Sequence, residues 1–211
     1  MSAFIDITPA ITPETPIFPG DTPFESERTW TIDEDGPVNV SKFTISTHAG
    51  AHADAPLHYD ANGASIDAVD IEPYIGPCAV IHQIDKGALL TADMIAKALD
   101  ETVKDIPARL LIRTYERQPE SWDPAFTVIA ADAIRWLAEK GVKLIGVDTP
   151  SLDPAMSKIM DAHRAVFEAD MRILEGLLLD AVRPGMYELI APPLKLAGLD
   201  AAPVRALLRT L

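Results

Sequence analysis

Residues 128–153, VIAADAIRWLAEKGVKLIGVDTPSLD, set the fold class. Over 128–140 the side chains of Ile129, Ala133, Ile134, Trp136, Leu137 and Lys140 return with helical spacing. Gly141 then stands where a helix-ending glycine belongs, because only glycine enters the left-handed region without a Cβ penalty. Residues 142–147, VKLIGV, have the apolar density of a buried strand. The polar turn DTPSLD follows. Helix, glycine, strand and polar turn form an α/β unit, so a mixed α/β fold with a largely buried sheet is expected.

Working outward, further strands are read at 38–47 (VNVSKFTIST), 78–84 (CAVIHQI), 109–113 (RLLIR) and 186–190 (MYELI), where β-branched and apolar residues gather or alternate. A second helix is expected over 91–100. Asp153-Pro154 suits an N-cap followed by a first-turn proline, predicting a short helix to about Met160. Residues 170–182 also look helical. The prolines at 9, 13, 16, 19 and 23 make residues 8–24 a long loop, a place for substrate contact. No internal repeat or low-complexity block interrupts the 211 residues, so one domain over 1–211 is expected.

Composition excludes several classes. There are 32 acidic and 18 basic side chains, giving a net charge of −14, whereas a nucleic-acid footprint would be basic. The same charge opposes binding to anionic membrane surfaces. No run approaches the roughly 18 apolar residues of a membrane span, and the first residues lack the pattern of a secretory leader. Cytoplasm is the expected location. Cys78 is the single cysteine, so an internal disulfide is impossible, and its flanks in GPCAVI point to a core thiol.

The chemistry gathers elsewhere, in THAGAHADAPLHYD at 47–60. Three of the chain's five histidines, His48, His52 and His58, fall here beside Asp54 and Asp60. Scattered histidines are usually structural; three packed among carboxylates are not easily explained that way. His48, His52, Asp54 and His58 share parity, so an extended chain would turn them to one face. A straight strand would still hold His48 and His52 about 13 Å apart at roughly 3.3 Å per residue. The chain must bend, and Gly50 permits it. Pro56 stops a helix. A strand end passing into an ordered loop fits best. Imidazole with carboxylate suits zinc, iron or manganese, and the lack of a thiolate set favours a catalytic over a structural site. A further ligand must come from outside. His163 is the main candidate, since His82 lies in an apolar strand. Glu175 interrupts the apolar run MRILEGLLL: either a cation compensates it or a helix turns it to solvent.

STHAGAHADAPLHYDANG resembles the HxGxHxDxPxH signature of the metal-dependent cyclase-like hydrolases. Within that family FPGDTPF, DTPSLDP, ILEGLLL and YELIAPPLKLAGLDAAPVRALLR are most similar to the bacterial kynurenine formamidases, or arylformamidases. The resemblance spans essentially the whole chain. It implies a single-domain, swivelling β/β/α fold with a largely buried mixed sheet, and a homodimer. It implies that His48, His52, Asp54, His163 and Glu175 are metal ligands, with Asp54 and Glu175 bridging two zinc ions; manganese is an alternative. It implies that His58 is the acid/base and that Phe18 faces the substrate ring, where the family usually carries tryptophan. Pro192 replaces a more usual leucine.

The reaction so implied is hydrolysis of N-formyl-L-kynurenine to L-kynurenine and formate, in tryptophan degradation. Two alternatives stand beside it. One is a related hydrolase acting on a cyclic amide or ester such as isatin. The other is a non-catalytic metal-binding protein, which would have no use for His58.

Overall fold

The computed structural model describes residues 4–34 and 36–211. Its strands and helices are, in chain order, β1 (Phe4–Asp6), β2 (Glu25–Trp30), β3 (Val40–Thr44), β4 (His52–Asp54), β5 (Ile75–His82), β6 (Leu89–Leu90), α1 (Ala92–Thr102), β7 (Arg109–Arg113), β8 (Val128–Ile129), α2 (Ala131–Glu139), β9 (Leu144–Val147), α3 (Asp161–Glu168), β10 (Arg172–Glu175), β11 (Gly185–Ile190), β12 (Ala201–Pro203) and β13 (Leu207–Thr210). Nine of the strands form one sheet in the order β1-β13-β11-β5-β7-β9-β10-β4-β12.

The centre of that sheet, β5-β7-β9-β10, is parallel, and antiparallel strands extend it on both sides. Parallel neighbours need crossover connections, and α1, α2 and α3 supply them. Side chains alternate between two cores. Ala79, Ile81, Leu110, Ile112, Ile145 and Ile173 face the helices and meet Ile95, Leu99, Ile134, Leu137 and Val166. Cys78, Val80, Leu111, Leu144 and Leu174 face the other way, against Ile7, Leu177, Val182, Leu189 and Leu208, where the sheet curls over a second core. Burial on both faces explains why the central strands read as continuous apolar runs. This is the single-domain α/β architecture with a buried mixed sheet that the resemblance implied. Cys78 is a buried free thiol.

Two helical expectations are overturned. Residues 154–160 form turns, and the helix starts only at Asp161. Asp153 does cap, but from a distance: its Oδ1 accepts from the backbone N–H of Ala162 and its Oδ2 from that of His163, each at 3.0 Å. The residues between are spent on a turn in which Ser157 N–H bonds Pro154 O and Met160 N–H bonds Ser157 Oγ. Residues 170–182 are not a helix. They hold β10, paired with β9 on one side and β4 on the other, followed by a loop. A short apolar run fits a buried strand as well as a helix, and sheet pairing decides here. The five expected strands all exist, but 38–47 forms half of an outlying hairpin, β2–β3, rather than part of the core.

No helix among the described residues is long and apolar enough to cross a membrane.

Candidate metal centre

β4 and β10 lie side by side, antiparallel, with His52 directly opposite Glu175 and Asp54 opposite Ile173. Opposed residues share a face, and Ile173 faces the helices. His52, Asp54 and Glu175 are therefore all turned toward the helical side, where the first turn of α3 brings His163 over them. The chain reaches β4 through a bend at Gly50, whose φ is +65°. Gly176, with φ +66°, ends β10 against that bend; a Cβ there would run into the carbonyl oxygen of Gly50. The two glycines let the backbones touch, and that contact draws the turn carrying His48 toward Glu175.

The polar atoms converge without satisfying one another. His52 Nε2 lies 3.4 Å from both Asp54 Oδ1 and Glu175 Oε2. His163 Nε2 lies 3.4 Å from Asp54 Oδ2 and 3.5 Å from Glu175 Oε1. His48 Nδ1 lies 3.1 Å from Asp54 Oδ1. Yet His52 Nε2 and both carboxylate oxygens of Asp54 are buried and make no hydrogen bond. Leaving three such atoms unpaired in a closed interior is costly. A divalent cation among them removes that cost, and imidazole with carboxylate is the right donor set for one. Burial lowers the affinity of His52 and His163 for protons, but the surrounding carboxylates outweigh it and push both pKa values up to about 10. Burial acts in the opposite sense on Asp54, and contacts with His163, His48 and His52 hold it well below the usual carboxylate range. The carboxylates thus favour a cation on or beside these rings, whether protons or a metal ion.

Outer contacts fix the rings of the candidate ligands. His52 Nδ1 donates to Gly50 O at 2.9 Å, and His163 Nδ1 donates to Asp153 Oδ2 at 2.6 Å. Glu175 Oε1 accepts from Leu152 N–H at 3.0 Å.

The five expected ligands are all brought together, and His58 joins them. It sits on the short turn Pro56–His58 with its ring centroid 4.1 Å from that of His48 and 6.0 Å from that of His163. Its side chain is 30% exposed, and burial pushes its pKa down. His82 is elsewhere, with Nε2 donating to Val182 O, and Asp60 faces the loop, accepting from Asn62 N–H. Two carboxylates join the site that the sequence does not place there. Asp153 reads in the sequence only as a cap, and Asp200, 2.9 Å from His48 Nε2, carries no sequence signal at all.

The centre opens into a cavity of about 740 Å³. Phe18 lines it, edge-on to Trp122 with centroids 5.4 Å apart; Trp122 in turn meets Phe126 at 6.1 Å. The wall is thus shared between the N-terminal loop and the loop after β7. Tyr115 lines it too, held by a buried carboxylate: Asp148 Oδ2 accepts from the N–H groups of Thr114 and Tyr115. The cavity lies beyond the carboxyl ends of β7, β9 and β10, the usual place for a ligand in a parallel sheet.

Comparison with known proteins bears on this geometry. A potential metal-dependent hydrolase with cyclase activity is 30% identical over all of this chain and 99% of its own, with a TM-score of 0.84. A predicted metal-dependent hydrolase from Bacillus stearothermophilus is 30% identical over the whole of both chains, with a TM-score of 0.82. Isatin hydrolase A from Ralstonia solanacearum is 25% identical over all of this chain and 92% of its own, with a TM-score of 0.85. The model of the putative cyclase family matches residues 5–154, which include His48, His52, Asp54 and His58. With that match and these relatives, the chain belongs to the cyclase family of metal-dependent hydrolases.

Proposed function

We propose that this hydrolase cleaves the carbonyl–nitrogen bond of an amide carried on an aromatic ring, using two zinc ions held by His48, His52, Asp54, His163 and Glu175. The observation that carries this reading is the set of buried, unpaired atoms on His52 and Asp54 at the floor of an aromatic-walled cavity. When bound, such ions polarise a carbonyl and lower the pKa of water from 15.7 toward about 7. Asp54 and Glu175 each turn both oxygens toward histidine ligands, which suits bridging carboxylates. Manganese fits the same donors.

The residues around the ligands complete the chemistry. An arylamine leaves as an anion unless it is protonated. His58 stands beside the ligand cluster, partly open to the cavity, and is assigned to carry that proton. Phe18 and Trp122 give the substrate ring an apolar wall, holding the carbonyl toward the floor.

Two substrates fit this class. N-formyl-L-kynurenine, giving L-kynurenine and formate in tryptophan degradation, is supported by the segments FPGDTPF, DTPSLDP and LDAAPVRALLR. Isatin, a cyclic aryl amide, is supported by the isatin hydrolases of the same fold, one of them bound to the product analogue thioisatinate. The solved relatives make the cyclic amide the better supported of the two. The proposal includes a homodimer in the cytoplasm. The dimer is supported by the β2–β3 hairpin, where Trp30, 64% exposed, and Val40, 39% exposed, oppose each other on one face, an apolar patch that a second copy would cover.

The deciding experiment measures turnover of zinc- and manganese-loaded protein on N-formyl-L-kynurenine and isatin beside a simple aryl ester. The expected result is amide cleavage that chelation abolishes and metal restores, with the faster amide fixing the substrate. Full activity in protein shown by elemental analysis to hold no metal would overturn the metal centre. Hydrolysis of the ester alone would overturn the amide.

A further inference from the structure

Each of the three candidate histidine ligands turns one ring nitrogen inward and anchors the other. His52 and His163 anchor Nδ1 and turn Nε2 toward the carboxylates. His48 is reversed. Its Nδ1 faces Asp54 Oδ1 at 3.1 Å, and its Nε2 donates to Asp200 Oδ2 at 2.9 Å. A neutral imidazole has one N–H and one lone pair, so the anchored nitrogen keeps the proton and the other binds the ion. The acceptor on Nε2 is therefore what assigns Nδ1 of His48 to the metal.

Asp200 is itself held firmly. Its backbone carbonyl accepts from Ala55 N–H at 2.8 Å, at the end of β4, and its Oδ1 accepts from Thr47 Oγ1 at 3.3 Å. The oxygen that meets His48 also lies 3.5 Å from His58 Nδ1. One carboxylate thus stands between a candidate ligand and the assigned proton carrier, fixed to the end of the strand that bears His52 and Asp54. It comes from the opposite end of the chain, 152 residues from His48.

We infer that Asp200 is a positioning residue, which selects Nδ1 of His48 as the metal-facing nitrogen and sets the ring of His58 beside it. This rests on the metal centre proposed above. Removing an outer partner of a metal-bound histidine typically weakens metal binding about 10- to 100-fold. Asparagine at 200 keeps an oxygen that can accept from Nε2–H without the charge, so it rescues in part.

The test is zinc affinity, by competition with a chromogenic chelator, for the parent, Asp200→Asn and Asp200→Ala proteins. Zinc content at saturation, the thermal midpoint of each chelator-stripped protein, and kcat and KM on the faster substrate accompany it. The expected order of affinity is parent, then Asp200→Asn, then Asp200→Ala, the last about 10- to 100-fold weaker than the parent. Zinc content at saturation and the stripped midpoints should match the parent, and kcat should fall with little change in KM. Parental affinity in Asp200→Ala would overturn the inference. A lost equivalent of zinc at saturation would overturn it by making Asp200 a ligand. Stripped midpoints that collapse in both variants would reduce Asp200 to structural support. A parent protein that takes up no zinc would overturn the metal centre and this role together.

Discussion

Whether a histidine beside a metal binds it or moves protons depends on what surrounds its ring nitrogens. His48, His52 and His163 each have one nitrogen on the buried carboxylates and one on an outer acceptor. His58 has no carboxylate of the inner cluster within salt-bridge distance and keeps contact with solvent. His58→Ala should therefore leave zinc content at the parental value and cut kcat by about 10²–10⁴-fold, the usual contribution of a general acid or base. Metal analysis and steady-state rates on one preparation check this; zinc lost in step with activity would make His58 a ligand. The histidines are legible in the sequence because they are rare and crowded, and Glu175 because it breaks an apolar run. Asp200 is not, because aspartate is common in turns and nothing local in AGLDAAP distinguishes a carboxylate that meets His48 across the fold from one that meets water.

Elements are legible where a local pattern decides them. The helix ending at Gly141 and the buried strand after it follow from spacing alone, and so does the bend at Gly50. β10 does not, because its state depends on two partners remote in sequence, β9 and β4. The cavity wall is likewise a product of two loops rather than one. The loop of residues 8–24 brings Phe18, and the loop after β7 brings Trp122. An edge-to-face aromatic pair contributes about 0.5–1.5 kcal/mol. Phe18→Ala removes one partner and loosens the other, so KM should rise about 2- to 10-fold with kcat little changed. Phe18→Trp should keep KM near parental. Steady-state kinetics of the two variants test this, and an unchanged KM in Phe18→Ala would take Phe18 out of the substrate wall.

At the scale of the whole molecule, metal and protons compete for one interior. With pKa values near 10, His52 and His163 hold protons at neutral pH when no metal is bound. The sign follows directly. Protonation of these two contributes stability to the stripped protein that is fully present below the unfolded value of about 6.5 and is lost as pH rises toward 10. Zinc must expel the same protons, so its affinity should tighten as pH rises, by up to about 100-fold per unit for two protons. Calorimetry in two buffers of different ionisation enthalpy counts the protons released. Zinc binding that neither releases protons nor depends on pH between about 6.5 and 8.5 would contradict protonated His52 and His163 in the metal-free protein.

The pairing of β12 with β4 bears on how the molecule comes into being. Synthesis runs from the N-terminus, so His48, His52 and Asp54 leave the ribosome long before residues 200–203 exist. Until then the strand that carries His52 and Asp54 has an uncovered edge, and His48 lacks the carboxylate on its Nε2. β1 waits in the same way for β13. Contacts this distant in sequence are slow to form, because loop closure must be met before they repay it. A nascent chain of this protein therefore displays three of its five proposed ligands, His48, His52 and Asp54, well before His163, Glu175 and Asp200 exist to complete the site.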